Sequence, residues 1–529
     1  MKIRTFIGEY GRGAVAAVFI MSGADSAFGR QAGEMDSSIA APSDRSLEAI
    51  WMAAPSDLTL AFDVQHLVNE IQATQVAPDL TVTQVAPANS ALTSVEQGQT
   101  PLYELFPDFR QWRLEKRRQA LKDTKFEFNP RTYYLDRSDF SGHEKQAVAT
   151  GGWLGVKTGY FLDHIAFGAT VFTSNPIYAP DRRDGTSLLA PGQNGYTVLG
   201  EFYGEVRIVQ DLGITVGAKR YDTPFINTND TRMTPNTFEA IVLQGRYVIG
   251  ESSTGDNVTT DGIGLSKDAK EVAVPTATPA QDLGDIKYGA GYFYQIKERN
   301  GTHFISMAEA AGAIDDVERG VWAAGALYEK GKFSIGAIEY YSPDIINIAY
   351  AESKLEVPFS DDWKLKFYGQ YVDQGSVGEN LLEDHGFWGH QFGLKVELPI
   401  HNALLTAAFT HAWADIDHIQ NPWSGYPGYT SVQVQDFDRA GESAFLLRFG
   451  YNFPWVDGLS AYALAVFGTH PDLGQFRQNE FDWNVEWAPK KSVLKGLSLR
   501  LRYAVVQQFG GNVNNLTDFR AICNYVIKF

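Results

Sequence analysis

From about residue 125 onward, apolar and polar positions alternate along the chain with a period of two. The clearest run is Glu480 to Trp487. Phe481, Trp483, Val485 and Trp487 point one way, and Glu480, Asp482, Asn484 and Glu486 the other. Successive side chains of a strand leave opposite faces, so the run predicts a strand with one apolar and one charged side. Leu497 to Val505 repeats it, with Leu497, Leu499, Leu501, Tyr503 and Val505 set against Ser498, Arg500 and Arg502. Comparable runs cover 196–209, 213–220, 286–297, 347–357, 363–374, 391–398, 404–411, 444–453 and 459–467. Weaker ones cover 126–135, 147–158, 164–173, 237–247, 320–328 and 332–340. The last segment sets Phe519, Ala521, Cys523, Tyr525, Ile527 and Phe529 against Asp518, Arg520, Ile522, Asn524, Val526 and Lys528. With it the count reaches about 18 strands, an even number, as a bacterial barrel requires.

The apolar faces are tipped with aromatics, and the pattern runs to the terminal Phe529. A soluble domain gains little by ending on an exposed Phe. A run of ~18 apolar residues, which a membrane-spanning helix needs, is missing after the N-terminus. In lipid every backbone N–H and C=O must be paired, so a spanning sheet has to close. The composition agrees: aromatics are 13% and glycines number 50 in 529 residues, yet the mean hydropathy is only −0.22. The single Cys523 rules out a disulfide framework and a Cys-based zinc site. A net charge of −18 argues against nucleic acid, whose phosphates need a basic surface. The expected fold is an all-β transmembrane antiparallel β-barrel over 125–529, at roughly 22 residues per strand and connection.

Two segments precede the barrel. Lys2, Arg4 and Arg12 precede a short apolar stretch, AVAAVFIMSGA (14–24), with small residues for cleavage at 24–27. This reads as a signal peptide over 1–24. Residues 25–124 read as a periplasmic N-terminal extension or linker, Ala-, Ser-, Thr-, Gln-, Val- and Pro-rich over 28–102. Its end, FRQWRLEKRRQALKD (109–123), is basic and helix-prone. It is either a solvated short helix leading into the barrel or a contact for anionic envelope polymers or lipid head groups.

Several runs resemble the OprD family of substrate-selective outer-membrane porins. FEFNPRTYYLDR (126–137) is similar to the family's first strand. YDTPFINTNDTRMTPNTFEA (221–240) is similar to its constriction-loop segment and is the most specific match. IKERNGTHFISMAEAAG (296–312), SIGAIEYYSPDIINIAYAESK (334–354), NPWSGYPGYTSVQVQDFDRAGE (421–442) and LKGLSLRLRY (494–503) also resemble family segments. The long 250–284 insertion and the 28–102 extension depart from the family pattern. The resemblance implies 18 strands, a narrow eyelet, and passive passage of small solutes such as amino acids and small carboxylates. It also implies a basic ladder, best matched by Arg131, Arg500, Arg502 and Arg520, and a monomer or weak homotrimer. The terminal aromatic strand looks like the signal read by the barrel assembly machinery.

If the apolar faces meet lipid and lipopolysaccharide, the opposite positions line water. Arg131, Arg500, Arg502 and Arg520 then face the lumen along with Glu480, Asp482 and Asp518. Ladders of both signs make a transverse field that orients dipolar solutes. The inward-folded constriction loop is expected at 221–236, where Asp222, Asn227, Asn229, Pro224 and Pro235 offer stiffness and internal hydrogen bonds. Asp230 and Arg232 present opposite charges at the eyelet, or cap backbone groups of the loop itself. Trp423, Tyr426 and Tyr429 mark a mouth loop that either grips solutes or packs on itself. No nucleophile elbow or phosphate loop is present, and no cofactor is expected. His411 and His418, with Asp415 and Asp417 between them, fit none of the usual metal templates. The reading is a porin, with an export barrel for an acidic polysaccharide or an outer-membrane lipolytic enzyme as alternatives.

Overall fold

The computed structural model describes residues 107–529 apart from 250–282, 315–316, 361–362, 473, 492 and 511–513. The signal peptide, the 28–102 extension and nearly all of the 250–284 insertion therefore lie outside the described residues. Among the described residues the first element is a helix, α1 (Pro107–Lys122), followed at once by the sheet. Eighteen strands make the wall. They begin with β1 (Lys125–Ser138), β2 (Glu144–Lys157), β3 (Ile165–Tyr178), β4 (Tyr196–Val209), β5 (Leu212–Lys219) and β6 (Thr237–Val248). Next come β7 (Asp285–Lys297), β8 (Val321–Lys330), β9 (Phe333–Ser342), β10 (Ile346–Pro358), β11 (Lys364–Gly375) and β12 (Trp388–Ile400). The last are β13 (Ala403–Ala414), β14 (Ser443–Asn452), β15 (Leu459–Thr469), β16 (Arg477–Trp487), β17 (Leu497–Phe509) and β18 (Leu516–Tyr525).

Each strand pairs antiparallel with its neighbours in sequence, and β18 pairs with β1, Arg131 opposite Asn524 and Arg137 opposite Asp518. The sheet is thereby closed. Ile527 and Lys528 extend the seam against Phe128 and Glu127. Phe126 and Phe529 exchange both backbone hydrogen bonds, at 2.7 and 3.1 Å, and their rings stack at 5.4 Å. The terminal Phe is thus the last rung of the closing ladder, and removing it would leave the start of β1 with unpaired edge groups.

The period of two is visible as alternating burial. Along β9, Phe333, Ile335, Ala337, Glu339 and Tyr341 are exposed, and the five residues between and after them are buried. The exposed set faces outward, toward lipid. Trp483, Leu499 and Leu501 also lie outward and exposed, whereas Glu480, Asp482 and Arg502 face inward and are buried. The longest described connections lie at one end of the barrel. Residues 210–211, 331–332 and 401–402 turn tightly at one end; 179–195, 220–236, 298–320 and 415–442 are long at the other.

The main core lies inside the barrel. Tyr221, Phe225 and Ile226 of the 220–236 loop and Trp423 and Tyr426 of the 415–442 loop pack with inward residues of several strands. Met307 and Ala308 join them from a short helix, α2 (Met307–Ala311), in the 298–320 connection.

Candidate functional site: a lumen narrowed by two inward loops

The 220–236 loop carries much of its own scaffolding. Asp222 Oδ1 accepts from Thr228 N at 3.1 Å and Thr228 Oγ1 at 2.7 Å. Asn227 Oδ1 accepts from Asn229 N at 3.0 Å, and Asn227 Nδ2 donates to Pro224 O at 3.2 Å. Short polar side chains satisfy backbone groups that a loop buried in a lumen would otherwise strand. Phe225, fully buried, anchors the loop with its ring about 6 Å from Tyr340, Tyr350 and Tyr426.

At the loop tip Asp230 meets β1. Arg131 Nη1 donates to Asp230 Oδ1 at 2.5 Å and Nη2 to Oδ2 at 3.0 Å, a two-pronged ion pair. Arg131 Nη1 also donates to Arg232 O at 2.6 Å, and its guanidinium lies 4.9 Å from the Trp153 ring centroid. Asp230 and Asp222 stay exposed. Arg232 is different: it is 1% exposed and points behind the loop, donating from Nε to Thr186 O at 2.8 Å. Burial, with Arg299 and Arg520 nearby, pushes its guanidinium pKa well down. The expectation that Asp230 and Arg232 form an opposed pair at the eyelet is therefore corrected. Asp230 opposes Arg131, and Arg232 packs against the 179–195 connection because carbonyls await it there.

The 415–442 loop needs a larger correction. Trp423, Tyr426 and Tyr429, expected in a mouth loop, are all buried. Trp423 Nε1 donates to Met307 O at 2.8 Å, and Tyr426 Oη to Gln391 Oε1 at 2.7 Å. Tyr429 Oη donates to Glu352 Oε1 at 3.0 Å, and its N–H to Gln370 Oε1 at 3.0 Å. The loop folds down into the lumen, and these aromatics are its packing rather than an exposed grip. It also touches the first loop, Asn227 Nδ2 donating to Gly425 O at 3.0 Å.

The arginines do converge. β17 and β18 set Arg502 directly opposite Arg520, with Arg500 two residues away, and β18 and β1 meet at the seam. They are not a uniformly wet ladder, however. Arg520 is fully buried and bound to Asp518, from Nε to Oδ1 at 2.5 Å and from Nη2 to Oδ2 at 3.2 Å. Arg137 donates to the same carboxylate at 2.7 Å. Arg131 is 8% exposed and Arg502 4%. Arg500 is half-buried, with Nε on Asn484 Oδ1 at 2.6 Å and Glu486 4.0 Å away. Arg502 Nε and Nη2 have no hydrogen-bond partner among the described residues. Glu480 and Asp482, expected to line water, face the lumen but are completely covered. Their oxygens accept backbone N–H groups from residues 433–435.

The opposite wall is built of tyrosine and carboxylate. Tyr350 Oη donates to Glu352 Oε2 at 3.3 Å and Tyr368 Oη to Glu397 Oε2 at 3.0 Å. Lys395 Nζ lies 4.1 Å from the Tyr368 ring centroid and 5.0 Å from that of Tyr429. Two features escaped the sequence reading. Arg137 has a visible signal, since it follows Arg131, Tyr133 and Leu135 on one strand face. Gln433 to Gln435 has only a faint one: the alternating SVQVQDFD (431–438) within what must be a loop. His411 lies within β13, and its Nδ1 is 2.8 Å from Ser443 Oγ. Among the described residues no group of three or more candidate ligands could hold a metal ion.

An eighteen-stranded closed barrel with an apolar outside and charged, loop-narrowed inside is a transmembrane pore. Residues 276–529 match the family described as outer membrane porin, OprD family. The fold agrees with solved porins. OccK9 (OpdG) of Pseudomonas aeruginosa superposes with a TM-score of 0.64 at 19% identity, covering 78% of this chain and 100% of that one. A BenF-like porin from Pseudomonas fluorescens gives 0.64 at 16% identity, covering 78% and 100%. OpdK of Pseudomonas aeruginosa, solved with vanillate, gives 0.61 at 16%, again covering 78% and 100%. No curated protein matches in sequence. The chain is an outer-membrane porin that crosses that membrane as a multi-pass β-barrel, and its residues 276–529 are similar to the OprD family.

Proposed function

We propose that the pore passes small carboxylate-bearing solutes, amino acids and small organic acids among them, by passive diffusion past Arg500, Arg502 and the Arg131–Asp230 pair. The observation that carries this reading is Arg500. It is a lumen-facing, half-buried guanidinium beside the covered Arg502, with Nε on Asn484 Oδ1 and Glu486 4.0 Å away. A guanidinium carries several N–H donors, so a partly exposed one can still donate to a passing carboxylate. Asp230, exposed across from Arg131, favours a solute that also carries an amine. Contacts that remain partly wet should each contribute ~1 kcal/mol or less, which lets a solute leave again. The vanillate in the OpdK structure is itself a carboxylate, which is in keeping with this class.

The reading carries further parts. The barrel has no catalytic role. Residues 1–24 direct export and are cleaved at 24–27, and 25–124 is a periplasmic extension. The assembly machinery reads the strand ending at Phe529, and the protein works as a monomer or weak homotrimer. The test is planar-bilayer recording of the refolded protein in a salt gradient, with a solute-block panel. Arg500→Gln with Arg502→Gln should shift the reversal potential toward cations and weaken block by carboxylated solutes. Unchanged selectivity and block would make the pore a general diffusion channel.

A further inference from the structure

On the lumen side of β17 and β18, Ala504, Val506 and Leu516 are apolar and buried. Water-filled pores do not favour such a patch, so something must cover it. Val434, at the tip of the 415–442 loop, joins them in one apolar cluster, with Phe140 packed against it. Around this contact the wall holds the loop's backbone. Val434 N donates to Glu480 Oε1 and Gln435 N to Glu480 Oε2, both at 2.8 Å, and Gln433 N donates to Asp482 Oδ2 at 3.1 Å. The Gln433 side-chain amide donates to Asp518 Oδ1 at 2.8 Å, and Arg520 Nη2 donates to Gln433 O at 3.0 Å. Glu480, Asp482 and Asp518 are all completely buried under this tip.

We infer that Glu480, Asp482 and Asp518 are positioning residues, a carboxylate latch that fastens the tip of the 415–442 loop to the arginine wall and thereby sets both bore and charge of the pore. The inference rests on the porin reading and adds the device that fixes its selectivity. Three consecutive backbone N–H groups are satisfied by carboxylates fixed on β16, and the Gln433 amide by Asp518 on β18, so the tip has one defined resting place. The same bonds hide negative charge. With the tip docked, Glu480 and Asp482 are withdrawn from the lumen, while Arg500 stays half-exposed. Undocking would widen the lumen and bring two carboxylates into it beside the arginines.

Two variants then raise conductance with and without a change of selectivity, which a merely structural role would not do. Deleting 431–436 leaves the wall intact and uncovers its carboxylates. Single-channel conductance should rise at least roughly twofold, and the reversal potential should move toward cations. Glu480→Gln with Asp482→Asn releases the tip but removes the charges. Conductance and open-channel noise should rise without that cation shift. In this background, Val434→Cys with Ala504→Cys, made with Cys523→Ser, should return to low conductance on oxidation and reopen on reduction. Assembly is checked by heat-modifiable gel mobility, and if the wall variant fails to assemble the deletion decides alone. Wild-type conductance in an assembled variant overturns the latch, as does a raised conductance that the oxidised crosslink leaves unchanged. Absence of any channel from the wild-type protein would instead overturn the porin reading.

Discussion

The two inward loops solve one problem in different ways. Both bury backbone in a lumen, where each N–H and C=O needs a partner. The 220–236 loop draws many of its partners from its own side chains: Asp222 for Thr228, Asn227 for Asn229 and Pro224. The tip of the 415–442 loop takes its partners from the wall, from Glu480, Asp482, Asp518 and Arg520. A self-capped loop keeps its shape if it leaves the wall. A wall-capped tip loses its shape and position together.

The largest test of this contrast is their shared joint. Phe225→Ala removes a fully buried ring touching Tyr340, Tyr350 and Tyr426, which belong to the wall and to the other loop. It should cost ~3–5 kcal/mol in urea unfolding and disturb both loops, seen as conductance noise. If noise stays at the wild-type level, the loops are independent. Next comes Tyr429→Phe. Glu352 loses the Tyr429 hydroxyl as a donor and keeps that of Tyr350. The expected loss is ~1–3 kcal/mol, with raised conductance from the second loop alone.

Asp222→Ala should be milder, ~1 kcal/mol, because Thr228 can turn to water at an exposed site. Its effect should be local, with faster proteolysis within 220–236 and none in 415–442. The smallest effect is pH-dependent. Burial, reinforced by Glu442 and opposed by His418 and Arg439, lifts the Asp438 carboxyl from 3.8 to about 6. A carboxyl raised in the folded state favours that state below its unfolded value and loses the contribution as pH climbs through the folded one. Docking of the 415–442 loop should therefore weaken between pH 3.8 and about 6. Asp438→Asn should flatten that dependence in open-channel noise. An unchanged slope would assign it to another group.

The barrel itself was legible because its cause is local. A strand between lipid and water shows an apolar–polar alternation whatever its neighbours are, and the strand runs read from the chain correspond to the eighteen strands of the wall. Phe529 was legible as a member of the apolar face of the last run, and its pairing with Phe126 belongs to the closed structure. The 220–236 loop could be recognised for a related reason: its Asp, Asn and Pro residues carry the turn chemistry with them.

What the chain alone could not show is which of its inward charges remain free. Period-two alternation assigns Arg500, Arg502, Arg520, Glu480 and Asp482 to the lumen, and all five face it. It says nothing of Gln433 to Gln435 arriving from 45 or more residues earlier to cover two of them. Nor can it show that Asp518 binds Arg137 across the seam as well as Arg520 on its own strand. A side chain's direction follows from the pleat of its own strand. Its exposure and charge balance depend on whatever the closed barrel brings over it, and only the tertiary structure of this porin decides that.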